Sequence, residues 1–210
     1  MAKEMLDVFD ENFNKIGMET REVVHEKGLW HQTFHCWVIN KTPGVRLLFQ
    51  KRHQKKDLFP SLLDISAAGH LIAGEEVEDG VREVKEELGL SLQFDDLHSV
   101  GVLEDVLEED GKVDKEFCHV FYYETGQPLT GYHVQTEEVT GLFWIGLNDF
   151  MALTAGKKER ITAAGFELGE NGEKEIKTIE VSIEDFVPHH PVYLEEIFKI
   201  FADISDEKVV

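Results

Sequence analysis

The chain has 210 residues, of which 42% are hydrophobic and 30% charged. That is enough apolar material for a folded core and too much for a disordered chain, and the length fits one domain with additions. Its 21 lysines and arginines face 42 aspartates and glutamates, a net charge of −21 that argues against nucleic-acid polymers and anionic membranes as partners. The excess is uneven: residues 1–70 hold ten basic and nine acidic side chains, residues 71–210 eleven and thirty-three. Cys36 and Cys118 sit in apolar runs and are too few to build a disulfide framework. MAKEMLDVFDENFNK has no apolar signal core, and no run of 18 apolar residues occurs, so a soluble, cytoplasmic protein is expected.

In chain order, strand-like runs fall at Met5–Phe9, Thr33–Asn40 and Arg46–Lys51, the last two joined by the turn residues Lys41-Thr-Pro-Gly44 as a hairpin. Leu63–Ala67 is a further short strand. Val77, Val81, Val84 and Leu88 recur at helical spacing, which predicts a helix over 77–88 closed by Gly89. Strands follow at Val100–Leu107, Lys115–Glu124 and Val139–Ile145, then a short helix over Leu147–Leu153. The polar stretch Glu167–Lys177 reads as a loop. Ser182 with Asp185 has the form of a capping box, and Pro191–Ile204 is an amphipathic helix. Interspersed strands and helices predict an α/β domain.

The informative stretch is Ala68–Leu90, AGHLIAGEEVEDGVREVKEELGL. Glu83, Glu86 and Glu87 stand at i, i+3 and i+4, so a helix gathers three carboxylates on one face. Such a face is unfavourable unless a positive charge collects there, and a hard divalent cation with oxygen ligands would serve. A solvated acidic face is the alternative from charge alone. The residue order is more specific. Arg82-Glu83-Val84-Lys85-Glu86-Glu87-Leu88-Gly89-Leu90 resembles, position for position, the core of the Nudix box, and Gly69 with Glu75 resembles its upstream G-x5-E. Six residues separate Glu75 from Arg82, where the family pattern has seven.

The resemblance covers roughly residues 5–150. It implies the Nudix α/β/α sandwich with a mixed sheet, a domain over 1–160, and an extension over 161–210 packed on it. That tail would supply either a homodimer contact or a pocket wall. LWHQTFHCWVIN, LLFQKRHQKKDLFPSLLDISAAGH and VDKEFCHVFYYE resemble the branch containing isopentenyl-diphosphate isomerase and its hydrolase relatives. That isomerase carries a catalytic cysteine just before a Gly-His pair, where this chain has Ala68 before Gly69-His70. Its metal-binding residues are echoed in part by His25, His31, His70, Asp114 and Glu116.

A Nudix hydrolase cleaves a small-molecule diphosphate, so cations must stand between an anionic substrate and this acidic chain. The resemblance implies Mg²⁺ or Mn²⁺ on Glu83, Glu86, Glu87 and the Gly69 carbonyl. Water attack on phosphorus would then be assisted by a base, with Glu86 or Glu83 as candidates and Glu116 as a further one. Lys51-Arg52-His53-Gln54-Lys55-Lys56 is the densest basic cluster. Arg52 and Lys56 are its expected diphosphate ligands, and Lys51 and Lys55 fit an exposed strand end equally well. His70 is expected at the metal or the diphosphate. Glu75 and Arg82 are expected as structural supports. Glu104, Glu108 and Glu138 read as surface carboxylates, His119 as a core histidine and His189-His190 as loop. Trp30, Trp37, Phe117, Tyr122 and Tyr123 read as core. The rivals are isopentenyl-diphosphate isomerase and a Nudix fold kept as a binding module.

Overall fold

The computed structural model describes residues 3–206. The chain opens with a hairpin of β1 (Met5–Phe9) and β2 (Lys15–Thr20), a short helix α1 (Arg21–Lys27) and a long strand β3 (Trp30–Asn40). β4 (Arg46–Arg52) is followed by two short strands, β5 (Leu63–Asp64) and β6 (Ala67–His70), and then by helix α2 (Val81–Leu88). β7 (His98–Glu109) and β8 (Lys112–Glu124) form a long hairpin, and β9 (Val139–Gly146) runs into α3 (Leu147–Thr154). A second hairpin, β10 (Ile161–Leu168) with β11 (Lys174–Val181), precedes the last helix α4 (Pro191–Asp206).

β3 is the centre of the sheet. β8 lies parallel beside it from Trp30↔Lys115 to Ile39↔Glu124, while β6 and β4 pair antiparallel along its other edge, so the sheet is mixed. From β4 the sheet continues through β9 and β10 to β11. Residues 34–39 are buried throughout, which a strand sustains only where both its faces are covered. Trp37 and Ile39 join a core with Phe150 of α3 and with Tyr193, Ile197 and Phe201 of α4. The alternate residues Phe34, Cys36 and Val38 join a second core with Val84 and Leu88 of α2. Period-two alternation thus gives an α/β/α sandwich. Each large apolar side chain buried in these layers contributes about 1.5–3 kcal/mol.

Several boundaries differ from the sequence reading. Glu167–Lys177 is not a loop: it holds the end of β10, the turn and the start of β11. β11 is an edge strand with one face in solvent, so charged residues suit it, and Glu167 pairs with Lys177 at 2.7 Å. The expected strand Leu63–Ala67 is two separate strands, each pairing with a different partner. The expected helix 77–88 begins as a 3₁₀ turn over Val77–Gly80 and becomes α-helical only at Val81. Asp79 accepts from the Glu76 N–H at 2.9 Å, and Gly80 lies so close to Phe34 that a Cβ would sit 2.6 Å from it. Gly89 ends α2 with φ 71° and donates its N–H to the Lys85 carbonyl, as expected. β2 and α1 carried no sequence expectation.

Candidate active site

Val84 and Leu88 are fully buried, which fixes the rotation of α2 and grades the exposure of its three glutamates. The Glu86 side chain is half exposed, that of Glu83 largely buried and that of Glu87 buried. Glu87 Oε2 accepts from Gln50 Nε2 at 2.8 Å and from the Ala68 N–H at 2.9 Å, and Lys56 stands 3.9 Å from Oε1. The Glu83 carboxylate lies over Gly69, where only a residue without a Cβ leaves room for it. Burial pushes the Glu87 carboxyl up to about 8 and also raises Glu83, despite the Arg82 charge beside it. Converging, partly desolvated carboxylates are the donor set a hard divalent cation takes, and such an ion would reverse both shifts.

The loop ahead of α2 is braced from within. Arg82 donates from Nε and Nη2 to the two oxygens of Glu75, both at 3.0 Å, and from Nη2 to the His70 carbonyl at 3.0 Å. It also contacts Glu83. The six-residue Glu75–Arg82 spacing leaves this pairing intact, with a 3₁₀ turn over Val77–Gly80 between the two residues.

The basic run divides in two. Lys51 turns away to Glu167, whereas Arg52 and Lys56 face a cavity of about 620 Å³ shared with the α2 glutamates. Arg52 donates from Nη1 to Asp64 at 2.7 Å, from Nη2 to the Leu58 carbonyl at 2.9 Å, and from Nε to the Leu58 and Phe59 carbonyls. Lys56 also pairs with Glu138, so Glu138 is not the free surface carboxylate expected of it. Leu58, Phe59, Leu107 and Val187 form an apolar wall of the same cavity.

A second group of potential ligands reaches the same cavity through His25, His70 and Asp114. His25 of α1, His31 of β3, His70 of β6 and Asp114 of β8 each place one ligand atom within 4.8 Å of the others. His25 Nε2 is 3.3 Å from His70 Nε2, and Asp114 Oδ1 is 3.3 Å from His31 Nε2. His31 Nε2 and Asp114 Oδ1 are buried with no hydrogen-bond partner. Burial and the neighbouring histidines lower His25 to about 3 and His31 to about 4, so both are neutral imidazoles, the form that binds metal. Burial and repulsion from Glu116 push the Asp114 carboxyl up. These orphaned atoms fit a bound cation.

Glu116, also from β8, lines the same cavity. Burial opposes its ionisation, but His35, 3.3 Å away, outweighs that and holds it well below the usual range. The cavity thus gathers every expected site residue: Arg52, Lys56, Gly69, His70, Arg82, Glu83, Glu86, Glu87 and Glu116 line it, with Glu75 tied to Arg82. It also gathers His25, His35, Asp64, Asp114 and His189, most of which sequence reasoning missed or left weak. A signal for some was present: His31, Thr33, His35 and Asp114, Glu116, Cys118 alternate on adjacent strands, in register at His31↔Glu116. His189 lies on an irregular segment, as expected, but its side chain is only 8% exposed and paired with two aspartates. Cys36 and Cys118 are reduced and fully buried, and neither lines the cavity.

Residues 29–164 match the NUDIX domain family. An uncharacterised Nudix hydrolase of Clostridium acetobutylicum is 38% identical over 97% of this chain and 99% of its own length. An isopentenyl-diphosphate Delta-isomerase of Mycolicibacterium vanbaalenii is 30% identical over 68% of this chain and 77% of that protein. Among solved structures, DR0079 from Deinococcus radiodurans superposes with a TM-score of 0.57 at 20% identity, covering 74% of this chain and 91% of that one. A MutT protein from Methanosarcina mazei gives 0.53 at 15% identity, over 85% and 96%. The structural likenesses establish the fold; the domain match and the full-length relative establish that the chain belongs to the Nudix hydrolase family.

Proposed function

We propose that the chain is a pyrophosphohydrolase that cleaves a small-molecule diphosphate with Mg²⁺ or Mn²⁺ held by Glu83, Glu86, Glu87 and the Gly69 carbonyl. The observation that carries this reading is the convergence of the α2 carboxylates with Arg52 and Lys56 in one cavity. A bound cation would polarise a phosphoryl oxygen and acidify water there. Glu86, the most exposed of the three carboxylates, takes the proton from the attacking water; Glu83 is the alternative. Glu116, held ionised with His35 Nε2 3.3 Å away, is a further candidate base or ligand. Arg52 and Lys56 hold the diphosphate and offset charge on the departing phosphate. Arg82 and Glu75 hold the loop that presents Gly69 and His70. A second cation fits His25, His31, His70 and Asp114, which gives His70 a metal role. Two reduced cysteines suit the cytoplasm.

The histidine cluster and the isomerase relative favour isopentenyl-diphosphate isomerisation as a second reading. Ala68 stands against it, because no cavity residue supplies the thiol. One experiment separates the readings. Nucleotide sugars, dinucleoside polyphosphates, oxidised nucleotides, inositol pyrophosphates and prenyl diphosphates are incubated with the protein and Mg²⁺ or Mn²⁺ in ¹⁸O-water. Phosphate products carrying one solvent oxygen are expected from one of these classes. Allylic product without phosphate release, or no turnover of any class, would overturn the hydrolase reading.

A further inference from the structure

The cavity's basic wall is fixed by a residue that the diphosphate reading does not use. His189 lies between two buried carboxylates, with Nε2 2.9 Å from Asp64 Oδ1 and Nδ1 2.6 Å from Asp105 Oδ2. A carboxylate faces each ring nitrogen, so both nitrogens donate and the ring is an imidazolium. Asp64 Oδ2 in turn accepts from Arg52 Nη1 at 2.7 Å. The four groups make a row, Asp105–His189–Asp64–Arg52, with two positive and two negative charges.

The surroundings hold the ring in place. Tyr193, from the first turn of α4, stacks on it with centroids 5.3 Å apart and planes at 27°. The Tyr193 hydroxyl is itself fixed by Trp37 Nε1 at 3.2 Å and His35 Nδ1 at 3.0 Å. Asp105 also accepts the His190 N–H at 2.8 Å. Burying four charges is costly, and apolar residues of similar volume would hold the chain end as well. The row ends, however, on a guanidinium at the cavity wall. Leu58, Phe59 and Asp64 take three of the five Arg52 N–H groups, which leaves two for an anion.

We propose that His189, carried by the C-terminal segment, is a positioning residue: by sharing Asp64 with Arg52 it keeps the guanidinium available to the diphosphate. This rests on the reading of the cavity as a diphosphate site. Without the imidazolium, Asp64 and Asp105 would be two buried anions beside one cation, and Arg52 would be drawn onto Asp64 and away from substrate. Burial opposes protonation of His189, but the two carboxylates outweigh it and raise its pKa to about 10, consistent with a permanent charge.

The test uses the full chain and inorganic diphosphate as probe, with affinity read by calorimetry and KM and kcat on whichever class is turned over. His189→Gln is expected to weaken diphosphate binding and raise KM by about tenfold, with kcat within threefold, since one charge-assisted contact is lost. The double variant His189→Gln/Asp105→Asn removes one charge of each sign and is expected to restore affinity to within threefold of wild type. It also decides the matter if the single variant fails to fold. Unchanged affinity in a folded His189→Gln, or tenfold weakening that persists in the double variant, would overturn the proposal and leave the hydrolase reading standing. A wild-type protein that neither binds nor cleaves any diphosphate would overturn both.

Discussion

Replacing Gly69 with alanine is the sharpest single perturbation of the site. A methyl group there would lie 2.2 Å from Glu83 Cδ and 2.3 and 2.6 Å from its two oxygens. Ordinary contact begins at 3.4 Å, so the carboxylate must retreat by about 1.2 Å, the difference between 3.4 and 2.2 Å. The atom that moves is the end of a flexible side chain, and Gly69 has no positive φ, so the fold survives. A displacement of about 1 Å at a reacting centre costs about 100-fold, which corresponds to about 2.7 kcal/mol of transition-state stabilisation. Gly69→Ala should therefore lose about two orders of magnitude in kcat/KM and require more Mg²⁺ for half-maximal rate, with a melting temperature close to wild type. Phosphate release across a Mg²⁺ titration, with a thermal melt alongside, checks both. A folded variant with kcat/KM within threefold of wild type would refute the placement of Glu83 at the reacting centre.

Removing metal with a chelator should lower the melting temperature, because ions at 100 times their Kd contribute about 2.7 kcal/mol; scanning fluorimetry with and without added Mg²⁺ or Mn²⁺ reads this. Asp114→Asn should cost one equivalent of bound transition metal by elemental analysis, while Glu87→Gln leaves that equivalent in place and loses Mg²⁺-dependent turnover. The pKa of His189 is raised from 6.5 to about 10 in the folded chain, so its stabilisation is complete below pH 6.5 and is lost as the pH rises through 10. The stability gap between wild type and His189→Gln, about 3–5 kcal/mol near pH 6 for a broken buried pair, should accordingly narrow by pH 10 in denaturant melts. Arg82→Lys, which cannot span both Glu75 oxygens, should lower kcat/KM by about tenfold in steady-state assays.

What the sequence revealed depended on the range of the signal. The shared face of the α2 glutamates and the helix end at Gly89 follow from local spacing, whereas Arg52 and Lys56 were singled out by side-chain chemistry; all but Gly89 line one cavity. β2 was illegible because five of its six residues are exposed, so no apolar alternation marks it. Glu167–Lys177 reads as a loop, although it spans the end of β10, the turn and the start of β11, because the outer strand is an edge that carries charge. The histidine cluster draws on α1, β3, β6 and β8, and no single window of sequence contains its geometry. His189 meets Asp64 across 125 positions, a pairing set by the path of the C-terminal segment back to the sheet.

In the proposed mechanism the α2 carboxylates hold the cation used for anhydride cleavage. Initial rates of diphosphate cleavage against Mg²⁺ concentration, for wild type and Glu86→Gln, test it most directly. Saturable dependence on Mg²⁺ in wild type and a loss of about 100-fold or more in Glu86→Gln are predicted. Equal turnover by the two proteins, or wild-type turnover that persists in excess chelator, would contradict the account.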